Sequence, residues 1–175
     1  DIILALGVMA RRDIEVIAAS PTQLHIMMPV DHPMAMKPSV TLVEVVSERL
    51  ILPGPDIMLR QVMDTMLASS GLDLTPKLVT NSFELMADMV QAGLGVGVQA
   101  RRQPGIDPLR PGIRYVALEG APSVAGQLAC CVRRGRTLSA AMSHCLRRIR
   151  DRLQDWLDQP VPPEPSRDQT ANSAL

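Results

Sequence analysis

The chain has 175 residues, enough for one ordinary domain or two small lobes, and 46% of them are hydrophobic, which is ample for a core. Its 18 basic and 18 acidic residues cancel, and that argues against a nucleic-acid-binding surface, which carries a strong basic excess. Three cysteines, two of them adjacent, exclude a secreted disulfide framework and point to a reducing, cytoplasmic setting. No signal peptide, membrane-length apolar run or lipidation motif appears, and aromatics are nearly absent: Phe83, Tyr115 and Trp156, with 11 Met filling the core instead.

In chain order, Ile2 to Gly7 is a short apolar run suited to a strand buried on both faces. Asp1 stands at what reads as the middle of a strand, so a fragment of a longer protein is expected. Glu15 to Ala19 and Gln23 to Met28 read as two more strands, followed by an irregular stretch punctuated by Pro29, Pro33 and Pro38. Thr41 can cap a short helix over Leu42 to Glu48. Leu50 to Leu52 is a strand closed by Pro53-Gly54-Pro55. Asp56 can cap the next helix, whose apolar face is Leu59, Val62, Met63, Met66 and Leu67, with Gly71 as its stop. Lys77 to Val79 leads on as a strand.

The densest segment is Thr80 to Val98. Asn81 and Ser82 are N-cap residues, Leu85, Met86, Met89 and Val90 form one apolar helical face, and Gly93 sits where a helix stops. Leu94, Val96 and Val98 then alternate with Gly95 and Gly97 as a tight buried strand. A strand–cap–helix–Gly–strand unit reads as α/β with a parallel sheet, and it leaves backbone N–H groups at a helix N-terminus beside a strand end, where anionic ligands settle. Arg101 to Gly112 is a Pro- and Gly-rich loop. Ile113 to Leu118 and Gln127 to Val132 read as strands, and Leu138, Met142, Leu146, Ile149, Leu153 and Trp156 mark the stripe of a last helix. Asp158 to Leu175 is Pro-rich and polar, and a disordered tail is expected there.

Several ordered segments resemble the C-terminal effector-binding domain of LysR-type transcriptional regulators. Asp1 to Leu6 is similar to that family's aspartate-led strand, and Met28-Pro29-Val30-Asp31-His32-Pro33-Met34-Ala35 to its strand-ending turn. Thr41 to Val45 before Leu50 to Leu52 resembles its helix before the next strand, and Ala92-Gly93-Leu94-Gly95-Val96-Gly97 its strand entry. The resemblance implies an α/β, periplasmic-binding-protein-like fold: two α/β lobes joined by two crossing segments, with an effector cleft between them. Lobe I would hold residues 1–21 and 93–157, lacking its first strand–helix–strand, and lobe II residues 22–92. The crossings would fall near Ser20–Gln23 and Ala92–Gly95. It further implies a small-molecule effector, a carboxylate or other anion; self-association as a dimer or tetramer; and DNA contact only through an N-terminal winged helix-turn-helix that this chain does not contain. No membrane partner, metal, cofactor or catalytic residue is implied.

The expected effector contacts are Asn81 and Ser82 at the helix N-terminus, Gly54 and Pro55 in the facing turn, and Gly7 and Val8 at the end of the first strand. Each also has a structural reading: Asn81 and Ser82 as caps, Pro53 to Asp56 as a stiff capped turn. Asp56 as a cap would consume the donors an anion needs. His25, His32 and His144 have no partners at ligand spacing. Cys130 and Cys131 should point to opposite faces of a strand, and Cys145 lies near the last helix's apolar stripe; packing is the expected role of all three. The alternating Arg and Asp residues of that helix read as a solvated or inter-subunit face. Two rivals stand beside the regulator: a solute-binding component of a transport system with the same fold, and an enzyme, for which no nucleophile–base or metal constellation is visible.

Overall fold

The structure, a computed structural model, describes residues 2–6, 12–121 and 126–158. Gly7 and Val8, and the tail after Asp158, lie outside these residues. Nine strands and four helices are described: β1 (Ile2–Leu6), β2 (Ile14–Pro29), β3 (Ser39–Val40), α1 (Leu42–Val46), β4 (Leu50–Leu52), α2 (Met58–Ser69), β5 (Leu78–Val79), α3 (Phe83–Gln91), β6 (Val96–Arg101), β7 (Gly105–Ile106), β8 (Ile113–Leu118), β9 (Gly126–Arg133) and α4 (Ala140–Asp158).

The two strands expected between Glu15 and Met28 are one, β2, running unbroken through Pro21. Proline is tolerated because at that point β2 has a neighbour on one side only. Its pairing with β9 ends at Thr22, and its pairing with β6 begins at Gln23, so at Pro21 the strand is an edge on its other side, the kind of position where proline is accepted. The strand order is β1-β9-β2-β6-β4-β5, with β8 also pairing with β2 and carrying β3 and β7. The first half of β2 thus belongs with β9 and β1, and its second half with β6 and β8, both antiparallel. This differs from the expected division at Gly93: β6 pairs with the second half of β2 and with β4, β8 with the second half of β2 and with β3, and β7 with β8, none of them with β9. The Gly93 turn only returns the chain from α3 into the sheet it had just left, so the change of neighbourhood falls after β8.

Sheet alternation sorts the core. Leu24, Ile26 and Met28 face one way, against Val96, Val98, Val116, Leu50 and Leu52, under Val45 of α1 and Leu59, Met63 and Leu67 of α2. Met27, Ile51, Ile113 and Tyr115 face the other way, under Met86, Ala87 and Val90 of α3. Leu24, Ile26, Met27, Leu50, Ile51 and Met86 are 0% exposed, and each such side chain stabilises the fold by about 1.5–3 kcal/mol.

Local signals explain the element ends. Thr41 forms a capping box with Glu44, whose carboxyl is held down to about 2, chiefly by the Lys37 ammonium and then by the Thr41 N–H. The helix it opens ends at Val46, before the expected Glu48. Asp56 does not cap α2: the Ile57 N–H donates to the Gly54 carbonyl at 3.0 Å, and this turn moves the cap one residue on, to Ile57, which offers no side-chain acceptor. Ser82 caps α3, accepting from the Leu85 N–H, and Gly93 at φ 72° carries the left-handed stop. Cys130 and Cys131 are both buried in β9, and Cys145 is exposed on α4. Burial raises the pKa of both buried thiols. Among the described residues no helix is long and apolar enough to cross a membrane.

Candidate functional site at the sheet edge

Strands β5, β4 and β6 are parallel, with Ile51 level with Leu78 and Gly97, and Leu52 level with Val79. Their C-terminal ends therefore open on one edge. There the chain turns from β4 into α2 through Pro53 to Ile57, and from β5 into α3 through Thr80 to Ser82.

The two turns are tied together. The Gly54 N–H donates to Asn81 Oδ1 at 2.7 Å, and Thr80 N–H donates to the Leu52 carbonyl at 3.1 Å. Asn81 is thus not a second helix cap. Its oxygen holds the facing turn, and its amide Nδ2, on an exposed residue, remains a donor at the edge. Gly54 is required by this contact: a Cβ there would stand 2.9 Å from Asn81 Oδ1 and 2.8 Å from Asp56 Oδ1. The side chain of Arg60 braces the same turn, Nη1 donating to the Pro53 carbonyl at 3.3 Å while Nε pairs with Asp64 at 2.8 Å.

Both helices present their N-termini here. In α3 the Ser82 hydroxyl takes the Leu85 N–H at 3.2 Å, and the N–H groups of Phe83 and Glu84 have no intrahelical acceptor. In α2 no side chain caps the first turn, so the Met58 and Leu59 N–H groups are equally open. Glu84, the acid in the first turn of α3, is neutralised by Arg110 Nη2 at 2.7 Å, which also reaches Asp88 at 3.3 Å. Two adjacent helix N-termini with unclaimed donors form a positive edge suited to an anion. Of the expected contacts, Asn81, Gly54, Pro55 and Ser82 meet at this edge, Gly54 buried and the other three exposed; Gly7 and Val8 lie outside the described residues.

The neighbouring part of the edge holds His25, which has no partner at ligand spacing in the sequence, and Gln99. His25 is level with Gln99 of β6 and with Ala117 of β8. It is 0% exposed, and its Nδ1 lies 3.0 Å from the Gln23 carbonyl. That contact makes Nδ1 the protonated nitrogen and leaves Nε2 an acceptor. Burial first, and the Arg101 charge in addition, lower the pKa of His25, partly offset by the Gln23 bond, so the ring is neutral. The guanidinium of Arg101 stacks on Tyr115 at 4.0 Å and donates to Asp107 Oδ2 at 3.4 Å. The same oxygen accepts from the Tyr115 hydroxyl at 2.9 Å. Burial and then Asp107 push the Tyr115 phenol up to about 12. Burial opposes ionisation of Asp107, but the Leu109 N–H, the Tyr115 hydroxyl and Arg101 outweigh it and hold its carboxyl below the usual range. A lone His and Gln in apolar strands are visible in sequence; their pairing across two strands, 74 residues apart in the case of His25 and Gln99, is not.

In the other half of the sheet, a cavity of about 430 Å³ lies between β1 and α4, lined by Leu4, Cys145, Arg148, Ile149, Arg152 and Leu153. Among the described residues no group of three or more His, Cys, Asp or Glu could hold a metal.

The family model described as the LysR substrate binding domain matches residues 1–154. No curated protein matches the chain. Among solved structures, the chain is similar to HinK, a LysR family transcriptional regulator from Pseudomonas aeruginosa, at 20% identity and a TM-score of 0.66, covering 87% of this chain and 53% of that one. The effector binding domain of QuiR in complex with shikimate is matched at 15% identity and a TM-score of 0.65, over 93% of this chain and 74% of that one. The BenM effector binding domain with benzoate is matched at 18% and 0.63, over 93% and 73%. The chain thus spans about half the length of HinK.

Proposed function

This chain belongs to the LysR substrate-binding domain family, with its two-lobed, periplasmic-binding-protein-like fold, and from that premise we propose that it is the effector-sensing module of a cytoplasmic transcriptional regulator. A small carboxylate or other anion binds at the sheet edge where α2 and α3 begin. Lobe I comprises β1, the first half of β2, β9 and α4, and lobe II the segment from Thr22 to Leu118. The intact protein self-associates as a dimer or tetramer and meets DNA through a domain outside this chain. Binding performs no reaction; it favours one arrangement of lobes or subunits over another.

The observation that carries this reading is the pair of adjacent helix N-termini with free donors, locked by the Asn81–Gly54 bond. The ligands named for QuiR and BenM, shikimate and benzoate, are both carboxylates in solution, which is the chemistry such an edge accepts.

The test is a thermal-shift and calorimetry panel of small carboxylates and inorganic anions on the protein and its Asn81→Asp variant. Asp keeps the oxygen that accepts the Gly54 N–H, so the melting temperature without ligand should be retained. It removes the amide donor and adds a negative charge, so anion affinity should fall at least about tenfold, or about 1.4 kcal/mol. Undiminished anion binding by Asn81→Asp would remove the site from this edge.

A further inference from the structure

The cleft edge holds two buried acceptors that nothing satisfies. Neither His25 Nε2 nor Gln99 Oε1 has a hydrogen-bond partner among the described residues. They belong to a cross-strand pair on neighbouring strands, so their side chains stand together on one face. That face is the one α3 covers, since Met27, two residues along from His25, packs on Met86 and Val90. With the Gln99 amide turned oxygen-inward, two acceptors face the same space and gain nothing from each other, and each orphaned acceptor costs about 1–3 kcal/mol.

Arg101 roofs the pair. Its Cα is level with Gln23, while Tyr115 is level with Met27 on the opposite flank of β2. A side chain that starts on β6 beside Gln23 and stacks on the Tyr115 ring of β8 must cross β2 diagonally, over His25. The Arg101 charge felt by His25 agrees with that path. The arm is lightly held: its contact with Asp107 is 3.4 Å long, and its side chain is 29% exposed.

We propose that His25, Gln99 and Arg101 form a hydroxyl-reading subsite, so that the effector is a hydroxy-carboxylate. Arg101 swings off Tyr115 and adds its charge to the carboxylate held at the two helix N-termini, and a neighbouring hydroxyl of the ligand donates to one of the two acceptors that the arm had covered. This rests on the anion-sensor reading and narrows it. The discrimination comes from the protein's own unpaired groups: a ligand lacking the hydroxyl leaves both buried acceptors unsatisfied, whereas one bearing it satisfies one of them.

The experiment is calorimetry on the protein with matched pairs: lactate against propionate, malate against succinate, 3-hydroxybenzoate against benzoate. In at least one pair the hydroxylated member should bind about ten- to a hundredfold tighter, as expected of one hydrogen bond to a buried acceptor. At least one of His25→Phe and Gln99→Leu should erase most of that preference, costing the hydroxylated member more affinity than the plain carboxylate. Without ligand, Gln99→Leu should melt no lower than the parent, because it removes an unpaired acceptor; a purely structural Gln99 would give a lower melting temperature. Equal binding within every pair, or a preference that survives both variants, overturns the subsite and leaves the anion sensor standing. Binding of no carboxylate at all overturns both.

Discussion

His25 shows how one side chain can carry both a cost and a signal. It is fully buried, and burial, reinforced by Arg101, places its pKa below the ordinary 6.5. In the unfolded chain the ring takes up its proton near pH 6.5, while the folded protein resists doing so. The unfolded state therefore binds more protons as pH falls through 6.5, and stability drops until the lower folded pKa is reached. Above 6.5 His25 contributes no such loss. The expected result is a fall in melting temperature between pH 7 and pH 5.5 that is steeper in the parent than in His25→Phe, read by thermal denaturation at matched ionic strength. The lowered carboxyls of Glu44 and Asp107 titrate in a more acidic window, so they do not blur the comparison. Identical slopes in the two proteins would mean that the ring is hydrated or already paired.

At the scale of elements, most of the β–α units were legible because each is written locally. Ser82 caps and Gly93 stops α3, and the stripe between them matches the buried residues Met86 and Val90; β8 occupies the run from Ile113 to Leu118. What was not legible depends on partners. Glu15 to Ala19 and Gln23 to Met28 read as two strands because the one-sided pairing of β2 around Pro21 is invisible in sequence, and Asp56 read as a cap because the Gly54–Ile57 turn that moves the cap to Ile57 leaves no plain sequence signal. The return from α3 into β6 is another such case. At Gly95 an added Cβ would lie 2.1 Å from the Arg49 carbonyl oxygen, backbone that cannot move aside because the Val96 N–H donates to that same oxygen at 2.9 Å. Gly95→Ala is therefore expected to destabilise by about 1–3 kcal/mol or more. Urea denaturation reads this directly, and a loss under 0.5 kcal/mol, the range of an ordinary surface change, would show that the turn can relax.

At the scale of the whole molecule, the candidate site is legible in sequence only as half of the proposed cleft. Asn81, Ser82, Gly54 and Pro55 fall at one edge because parallel strands all end on the same side. The other wall depends on which strands join β2, whereas the boundary expected at Gly93 rests on the family resemblance and not on strand pairing. Among the described residues, strand β2 is the one that pairs in both halves of the sheet, with β9 over Ile14 to Thr22 and with β6 and β8 over Gln23 to Pro29. A ligand that joins the halves must restrain the passage between them, whereas a ligand held by lobe II alone need not. Amide hydrogen exchange separates the two. With a saturating carboxylate, slowing is expected at the first-turn amides of α2 and α3, Met58–Leu59 and Phe83–Glu84, and also along Ser20 to Gln23. The amides of α1, on the far side of the first core cluster, should not change. Protection measures the free energy of local opening, so slowing at the crossing is the signature of a population shift between lobe arrangements. Slowing confined to the two helix N-termini would instead describe an anion bound to one lobe with no means of signalling to the other.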